Sequence, residues 1–520
     1  MNGYEDRIAS EQFMRSFQRL CSSASMASRR ELLKAAGVLA GTVAMPSAFV
    51  RSSSAAAMHA SAGFQQLQVD AGKVIGKLRD MQGVNGPPAP IMADLPNLTH
   101  QYRELRPNQI RTHDCMGPTD IDSKFEFKNP YLAALIPDPT QRAGVVEAGN
   151  KSIIFPDWNA DPEKAESYNF GPTERILASI GGCGAEVYYR IGRSWGANNN
   201  PPPDFDKYAA VVKHVAMHFN HGWADGYHHN IRYWEFWNEP DGLFWSGTPA
   251  EFYSLYKKTA LALKSLDSTL CVGGVGLANP AQSGPYLEGF IDYCAKHHLP
   301  LDFFSWHTYT PDPYAGGQHA RTIRRILDAR GFSKARSILS EWNLSADFSK
   351  KESTVLQSNR NAAYVGAAVN CFQDAPIDQT HFYRGDAAWM GLFDLHARPF
   401  KPAFTFFAMD QMLTTPRRLA VEGGGTHGFT AMAGRSQDDM TVHILISNYV
   451  MPAQGRSVAG YHLLVNHLPW NRHSFSMKRY RLDHSRNLEL VEAATLSGGS
   501  FKLSSSFTAD ALDLIVLKRR

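Results

Sequence analysis

Two short strings carry the residues most able to do chemistry. In Tyr233-Trp234-Glu235-Phe236-Trp237-Asn238-Glu239-Pro240-Asp241 the aromatic content favours a strand. Pro240 lacks an N–H and stops the ladder, so Asn238 and Glu239 fall at the strand's C-terminal end. In Ser337-Ile338-Leu339-Ser340-Glu341-Trp342-Asn343, Glu341 takes the equivalent place on another expected strand. A carboxylate at a buried strand end is costly unless it is paired or used. Either glutamate alone would pass as half of a structural ion pair; two in equivalent positions call for a shared task. Cleavage of a glycosidic bond is such a task, because the leaving oxygen needs a proton while the anomeric carbon needs an anion on its opposite face. One carboxyl must then stay protonated near neutrality and the other stay ionised. Carboxyls about 5 to 5.5 Å apart would retain the anomeric configuration, and about 6.5 to 9.5 Å would invert it.

Such a pair needs elements that bring both strand ends to one place. Short β-rich runs at 81–85, 109–113, 186–191, 233–237, 270–275, 303–308, 337–340 and 379–383 alternate with helix-like stretches. Helical patterns lie at 205–219, 249–266, 284–297 and 321–329. Strands in series with helices between them predict an α/β fold, a (β/α)8 TIM barrel over 81–413, and barrel enzymes place their chemistry at the C-terminal ends of the strands. The G-x-G-x-x-G fingerprint of dinucleotide sites is absent, and Gly273, Gly274 and Gly276 read as close packing at a strand end. After Thr415-Pro416 the pattern changes to period-2 alternation, so 414–520 is expected to be an accessory antiparallel β-sandwich. Residues 63–80 alternate as well and are a candidate further strand for that sandwich.

Read together, the strings resemble clan-A retaining glycoside hydrolases, most closely glycoside hydrolase family 39, the β-xylosidase and α-L-iduronidase group. Trp237-Asn238-Glu239-Pro240 looks like that group's fourth, acid/base strand and Ser340-Glu341-Trp342 like its seventh, nucleophile strand. Ile110-Arg111-Thr112-His113-Asp114 resembles the second strand and Phe304-Ser305-Trp306-His307-Thr308-Tyr309 the sixth. The resemblance implies a retaining exo-glycosidase, with Glu239 as acid/base and Glu341 as nucleophile. It also implies that Asn238 binds the sugar 2-hydroxyl, that Tyr309 helps hold Glu341 as an anion, that His113 and His307 line the sugar subsite, and that Arg111 lies beneath the nucleophile. Trp342 and Trp389 are candidate stacking platforms for sugar, with core packing the open alternative. One departure bears on substrate: the family's β-xylosidases carry adjacent glutamates after the eighth strand, whereas Arg384-Gly385-Asp386-Ala387-Ala388-Trp389 offers only Asp386.

The remaining features set limits. Hydrophobic residues at 43% and charged residues at 20% are ordinary globular values. A net charge of +4 with scattered basic residues gives no footprint for nucleic acid. The six cysteines show no CxxC pair and no metal-ligand spacing, so neither a zinc site nor a disulfide framework is indicated, and since two carboxylates suffice for the chemistry no metal or organic cofactor is expected. Ser28-Arg29-Arg30-Glu31-Leu32-Leu33-Lys34, followed by an apolar stretch over 35–50, has the layout of a twin-arginine export signal, and 1–62 is expected to be leader and linker. That stretch is short for a stable membrane span, so export to the periplasm or beyond is the expectation. The expected partner is an oligosaccharide or other glycoside. The competing readings are a non-catalytic carbohydrate-binding barrel and an inverting or transglycosylating enzyme on the same scaffold.

Overall fold

The computed structural model describes residues 63–91, 95–128, 138–282, 284–347, 349–387, 390–425, 427–452, 458–471 and 473–520. The expected export signal at 28–34, the apolar stretch after it and Trp389 lie outside them. The first strand, β1 (Gln65–Lys77), belongs to a second sheet. The next eight are β2 (Gly83–Asn85), β3 (Gln109–Arg111), β4 (Glu186–Ile191), β5 (Tyr233–Phe236), β6 (Cys271–Leu277), β7 (Phe303–Tyr309), β8 (Arg336–Asn343) and β9 (Gln379–Phe382). They pair in parallel in chain order and close through β2–β9 into a barrel. Strands β5, β7 and β8 are buried along nearly their whole length, as parallel strands covered by helices must be. Tyr188, Tyr233, Phe303 and Ile338 form one buried cluster early in their strands and fill the barrel floor.

Local sequence explains the helices that hold this ring. Helix Phe205–His221 starts where the Asp204 carboxylate accepts from the backbone N–H groups of Asp206 and Lys207, and stops at Gly222, whose φ of 74° suits glycine. Its buried face of Tyr208, Val211, Val212, Val215 and Phe219 has helical spacing. Helix Pro249–Leu266 opens with a Thr248–Glu251 capping box and a proline in its first turn. Helix Asn359–Phe372, not singled out in the sequence, is buried almost all round and therefore shows no one-sided stripe.

The strands β10 (Arg417–Glu422), β11 (Phe429–Arg435), β12 (Thr441–Asn448), β13 (Gly460–Asn466), β14 (Ser474–Leu482), β15 (Asn487–Ser497), β16 (Phe501–Ser506) and β17 (Ala511–Arg519) form a second sheet with β1. Its order is β15-β14-β17-β12-β11-β10-β1-β13-β16. Every pairing is antiparallel save β1 with β13, which is parallel. The two layers are thus one continuous sheet folded over. Phe475 of β14 and Phe501 of β16, close to opposite ends of that order, meet with ring centroids 6.5 Å apart around a core of the sheet's own. The sheet rests on the barrel through Ser447 Oγ donating to the Ala363 carbonyl (2.6 Å) and Asn370 Nδ2 donating to Thr430 Oγ1 (2.9 Å). Gly366 permits that approach, since a Cβ there would lie 2.7 Å from Leu512 Cδ1. No described helix is long and apolar enough to cross a membrane.

Candidate active site

The ends of β3, β5, β7 and β8 bring the expected residues to one groove. Glu239 follows β5 with its backbone N–H donating to the Gly276 carbonyl (2.8 Å) and a positive φ of 44°. Gly276 must itself be small: a Cβ would stand 3.3 Å from Asn238 Cα and from His307 Nε2, and 3.4 Å from Arg111 Nη2. Gly273 has the packing role expected of it, with a Cβ position 2.0 Å from the Phe303 carbonyl oxygen.

Glu341 is aimed by an irregularity. Along β7 and β8 the register runs Trp306 opposite Leu339 and then His307 opposite Glu341, so Ser340 is an extra residue on β8. A bulge flips the parity of everything after it. Ile338 points to the barrel floor, Glu341 into the groove, and Trp342 outward against Phe372, Phe382 and Tyr364. This corrects the expectation for Trp342: it is fully buried in the layer between barrel and helices and offers no face to a sugar.

The two glutamates have unlike surroundings. Glu341 Oε1 accepts from Arg111 Nη1 (2.7 Å) and its Oε2 accepts from the Tyr309 hydroxyl (2.7 Å). His113 Nε2 stands 3.3 Å from Oε1 and His307 Nδ1 3.5 Å from Oε2. Glu239 Oε1 lies 2.8 Å from His307 Nδ1, and its side chain keeps 21% exposure against 5% for Glu341. Burial raises the Glu239 carboxyl to about 8, helped by the Asp241 and Asp114 charges and opposed by Arg111. Burial also raises Glu341, against His307, Arg111 and the Tyr309 hydroxyl, which all favour its ionised form. Burial favours the neutral form of both histidines, pushing His307 down and His113 well down, while the Glu341 charge works against it at His307.

Arg111 is the hub. Its Nε donates to Glu235 Oε2 (2.5 Å), Nη1 also to Asn85 Oδ1 (3.1 Å), and Nη2 to Asn238 Oδ1 (2.8 Å). Holding the Asn238 oxygen leaves that amide's NH2 as its free donor end. Burial works against the Arg111 charge, and the Glu235 and Glu341 carboxylates more than offset it. Neither Asn85 nor Glu235 was singled out in the sequence, although both sit on fully buried strands where a polar side chain must have a partner. A second group behind His113 was also missed: Tyr383 donates to Asp114 (2.9 Å), and Arg384 Nε to Asp386 (2.6 Å). Asp386 is therefore committed to its neighbouring guanidinium.

One oxygen from each glutamate and one His307 nitrogen all lie within 4.8 Å of one another. That set has the donor types of a divalent-metal site, but both Glu341 oxygens are engaged, one of them by a permanent cation that a metal ion would have to face. The same closeness suits two carboxyls sharing one sugar ring.

Comparison with known proteins agrees with this geometry. Residues 184–344 match the profile of the family described as glycosyl hydrolases family 39. A β-xylosidase of Geobacillus stearothermophilus is 26% identical over 309 residues, which span 49% of this chain and 58% of that protein. A solved glucosidase from Croceicoccus marinus is 29% identical with a TM-score of 0.75, covering 88% of this chain and 100% of that one. A family-39 enzyme from Xanthomonas axonopodis pv. citri shares the fold, with a TM-score of 0.65 at 16% identity over 89% of this chain and 99% of its own.

Proposed function

We propose that this chain is a member of glycosyl hydrolase family 39 and hydrolyses O-glycosides with retention, Glu239 serving as acid/base and Glu341 as nucleophile. The observation that carries the reading is the asymmetric pair: oxygens within 4.8 Å, with Arg111 and Tyr309 gripping only Glu341. That closeness lets both carboxyls act on one sugar ring, and the anomer first released distinguishes retention from inversion. In the first step an ionised Glu341 oxygen bonds to the anomeric carbon while the carbon–oxygen bond to the aglycone breaks. Glu239, raised to about 8 and so protonated at neutrality, gives its proton to the departing oxygen. Glu341 is then an uncharged ester. In the second step Glu239, now a carboxylate, takes a proton from water, whose oxygen displaces Glu341 from the opposite face and restores both groups. Asn238, its oxygen held by Arg111, would offer its NH2 to the sugar 2-hydroxyl.

The named relatives, a β-xylosidase and a glucosidase, make aryl xylosides and aryl glucosides the first compounds to try. Exo action is proposed with them. Export by the twin-arginine-like segment at 28–34 belongs to the same proposal, supported by the basic pair and the apolar stretch after it. The test is Glu341→Gln and Glu239→Gln on that panel, with NMR of the anomer first released. Glu341→Gln should give no turnover. Loss of the acid/base should cost about 10²- to 10⁴-fold on substrates with poor leaving groups. Undiminished hydrolysis by either folded variant, or release of the inverted anomer, contradicts the assignment. A non-catalytic sugar-binding barrel would bind the same compounds and release nothing.

A further inference from the structure

Arg111 touches Glu341, but its other edge is committed to a second carboxylate that the reaction does not consume. Glu235 is wholly buried, as is the guanidinium, and the two meet at 2.5 Å between Nε and Oε2. The other Glu235 oxygen accepts from the Tyr188 hydroxyl at 3.3 Å. We infer that Glu235 is a positioning residue for the proposed hydrolysis: it fixes and neutralises Arg111, so that the guanidinium orients Glu341 without acting on it as an unbalanced charge. The inference rests on the glycosidase reading for its purpose, but its physics concerns only the buried triad.

A lone guanidinium in contact with a buried carboxylate would favour the anion strongly; an opposite charge within about 4 to 6 Å moves a carboxyl by about 1 to 3 pH units. So stable an anion is a poor nucleophile, and the same cation would also draw down the proton Glu239 must hold. With Glu235 paired to it, Arg111 keeps its directional N–H groups while its net charge is cancelled locally. The geometry is over-determined accordingly: Asn85 and Asn238 take further Arg111 N–H groups at 3.1 and 2.8 Å, leaving the fork one orientation. The groups facing Glu341 are Arg111, His113, His307, Tyr309 and Glu239, and of these Arg111 alone is permanently charged. Those facing Glu235 are Arg111 and Tyr188, with His307 near enough to feel its charge.

The test is a pH titration of glutamate side-chain carboxyls by 13C NMR on the full chain, with the Glu341 signal assigned by its loss in Glu341→Gln. In the unaltered protein Glu341 should titrate at or above the ordinary value of 4.5 despite its contact with a guanidinium. Glu235→Gln should lower that midpoint by about one unit or more, and move the acid limb of the pH dependence of kcat/KM down by the same amount. Glu235→Asp keeps the charge and should leave the midpoint within about 0.3 units of its original place. A Glu341 midpoint below about 3 in the unaltered protein, or no movement in a folded Glu235→Gln, overturns the inference. The first measurement needs no variant of Glu235 to fold. Because the NMR readout does not depend on turnover, a chain that hydrolysed no glycoside would sink the glycosidase reading while this inference was still decided.

Discussion

Replacing Tyr309 by Phe removes one hydrogen bond and little else. The Tyr309 ring stands edge-on to Tyr383 with centroids 6.2 Å apart, a contact that Phe keeps. Its hydroxyl donates to Glu341 Oε2 at 2.7 Å, and the lost interaction favours the ionised carboxylate. Hydrogen bonds to charged groups contribute about 1.5 to 3 kcal/mol, and one pH unit corresponds to about 1.4 kcal/mol, so the Glu341 midpoint should rise by about one to two units. The sign follows: a less stable anion protonates at higher pH, and the acid limb of kcat/KM moves up toward neutrality. At a pH below that limb the variant should be about 10- to 100-fold slower, with a much smaller deficit above it. The assay is kcat/KM for an aryl glycoside from about pH 3.5 to about pH 9, a span that brackets the ordinary carboxyl range and the raised Glu239, with thermal unfolding at each end as a control on folding. An acid limb that stays in place in a folded, active Tyr309→Phe would refute the idea that this hydroxyl stabilises the charge of Glu341.

Other outcomes follow from the same contacts. The raised carboxyl of Glu239 contributes stability that is complete below its ordinary value of 4.5 and is lost as pH rises through about 8. The unaltered protein should therefore lose several kcal/mol between about pH 5 and about pH 9, because each pH unit between the two titration midpoints corresponds to about 1.4 kcal/mol. Calorimetry of Glu239→Gln should show a flatter dependence; an equal slope in both proteins rejects the burial argument. Trp342→Ala should cost about 3 to 5 kcal/mol of stability in denaturant titration, as core tryptophans do, and a selective rise in KM at unchanged stability would restore it as a sugar platform. Tyr449, one residue past β12, donates to the Pro311 carbonyl at 2.9 Å, and the N–H of Gly428, just before β11, donates to the Tyr314 hydroxyl at 2.9 Å, so the end of the second sheet grips the loop that begins just past Tyr309. Tyr449→Phe should lower kcat several-fold for a stability loss of about 1 kcal/mol; an unchanged kcat would make the contact purely structural.

What was legible in the chain, and what was not, follows from how each feature is encoded. Most of the barrel strands carry β-branched or aromatic residues and are largely buried, and such runs can be read one at a time, which is why all eight were found close to their observed places. The strings ending in Glu239 and Glu341 were legible because a glutamate at the end of such a run is chemically out of place. Helix Asn359–Phe372 was not, because burial on every side erases the periodicity that marks a helix. The direction of Trp342 was hidden for a different reason: counting by twos from Ile338 sends it inward, and only the extra residue at Ser340 sends it out and brings Glu341 in. A bulge has no reliable signature in a single sequence, yet here it decides which side chain of Glu341-Trp342 reaches the groove. Glu235 and Arg111 show the converse. Each is an isolated charge on a buried strand, and opposite charges in that situation imply one another. The signal for the pair was present in two strings far apart in the chain, and what was lacking was the barrel register that sets Arg111 beside Tyr188 and Tyr188 beside Tyr233. Parallel pairing, rather than any one motif, is what turns two costly residues into the support for Glu341.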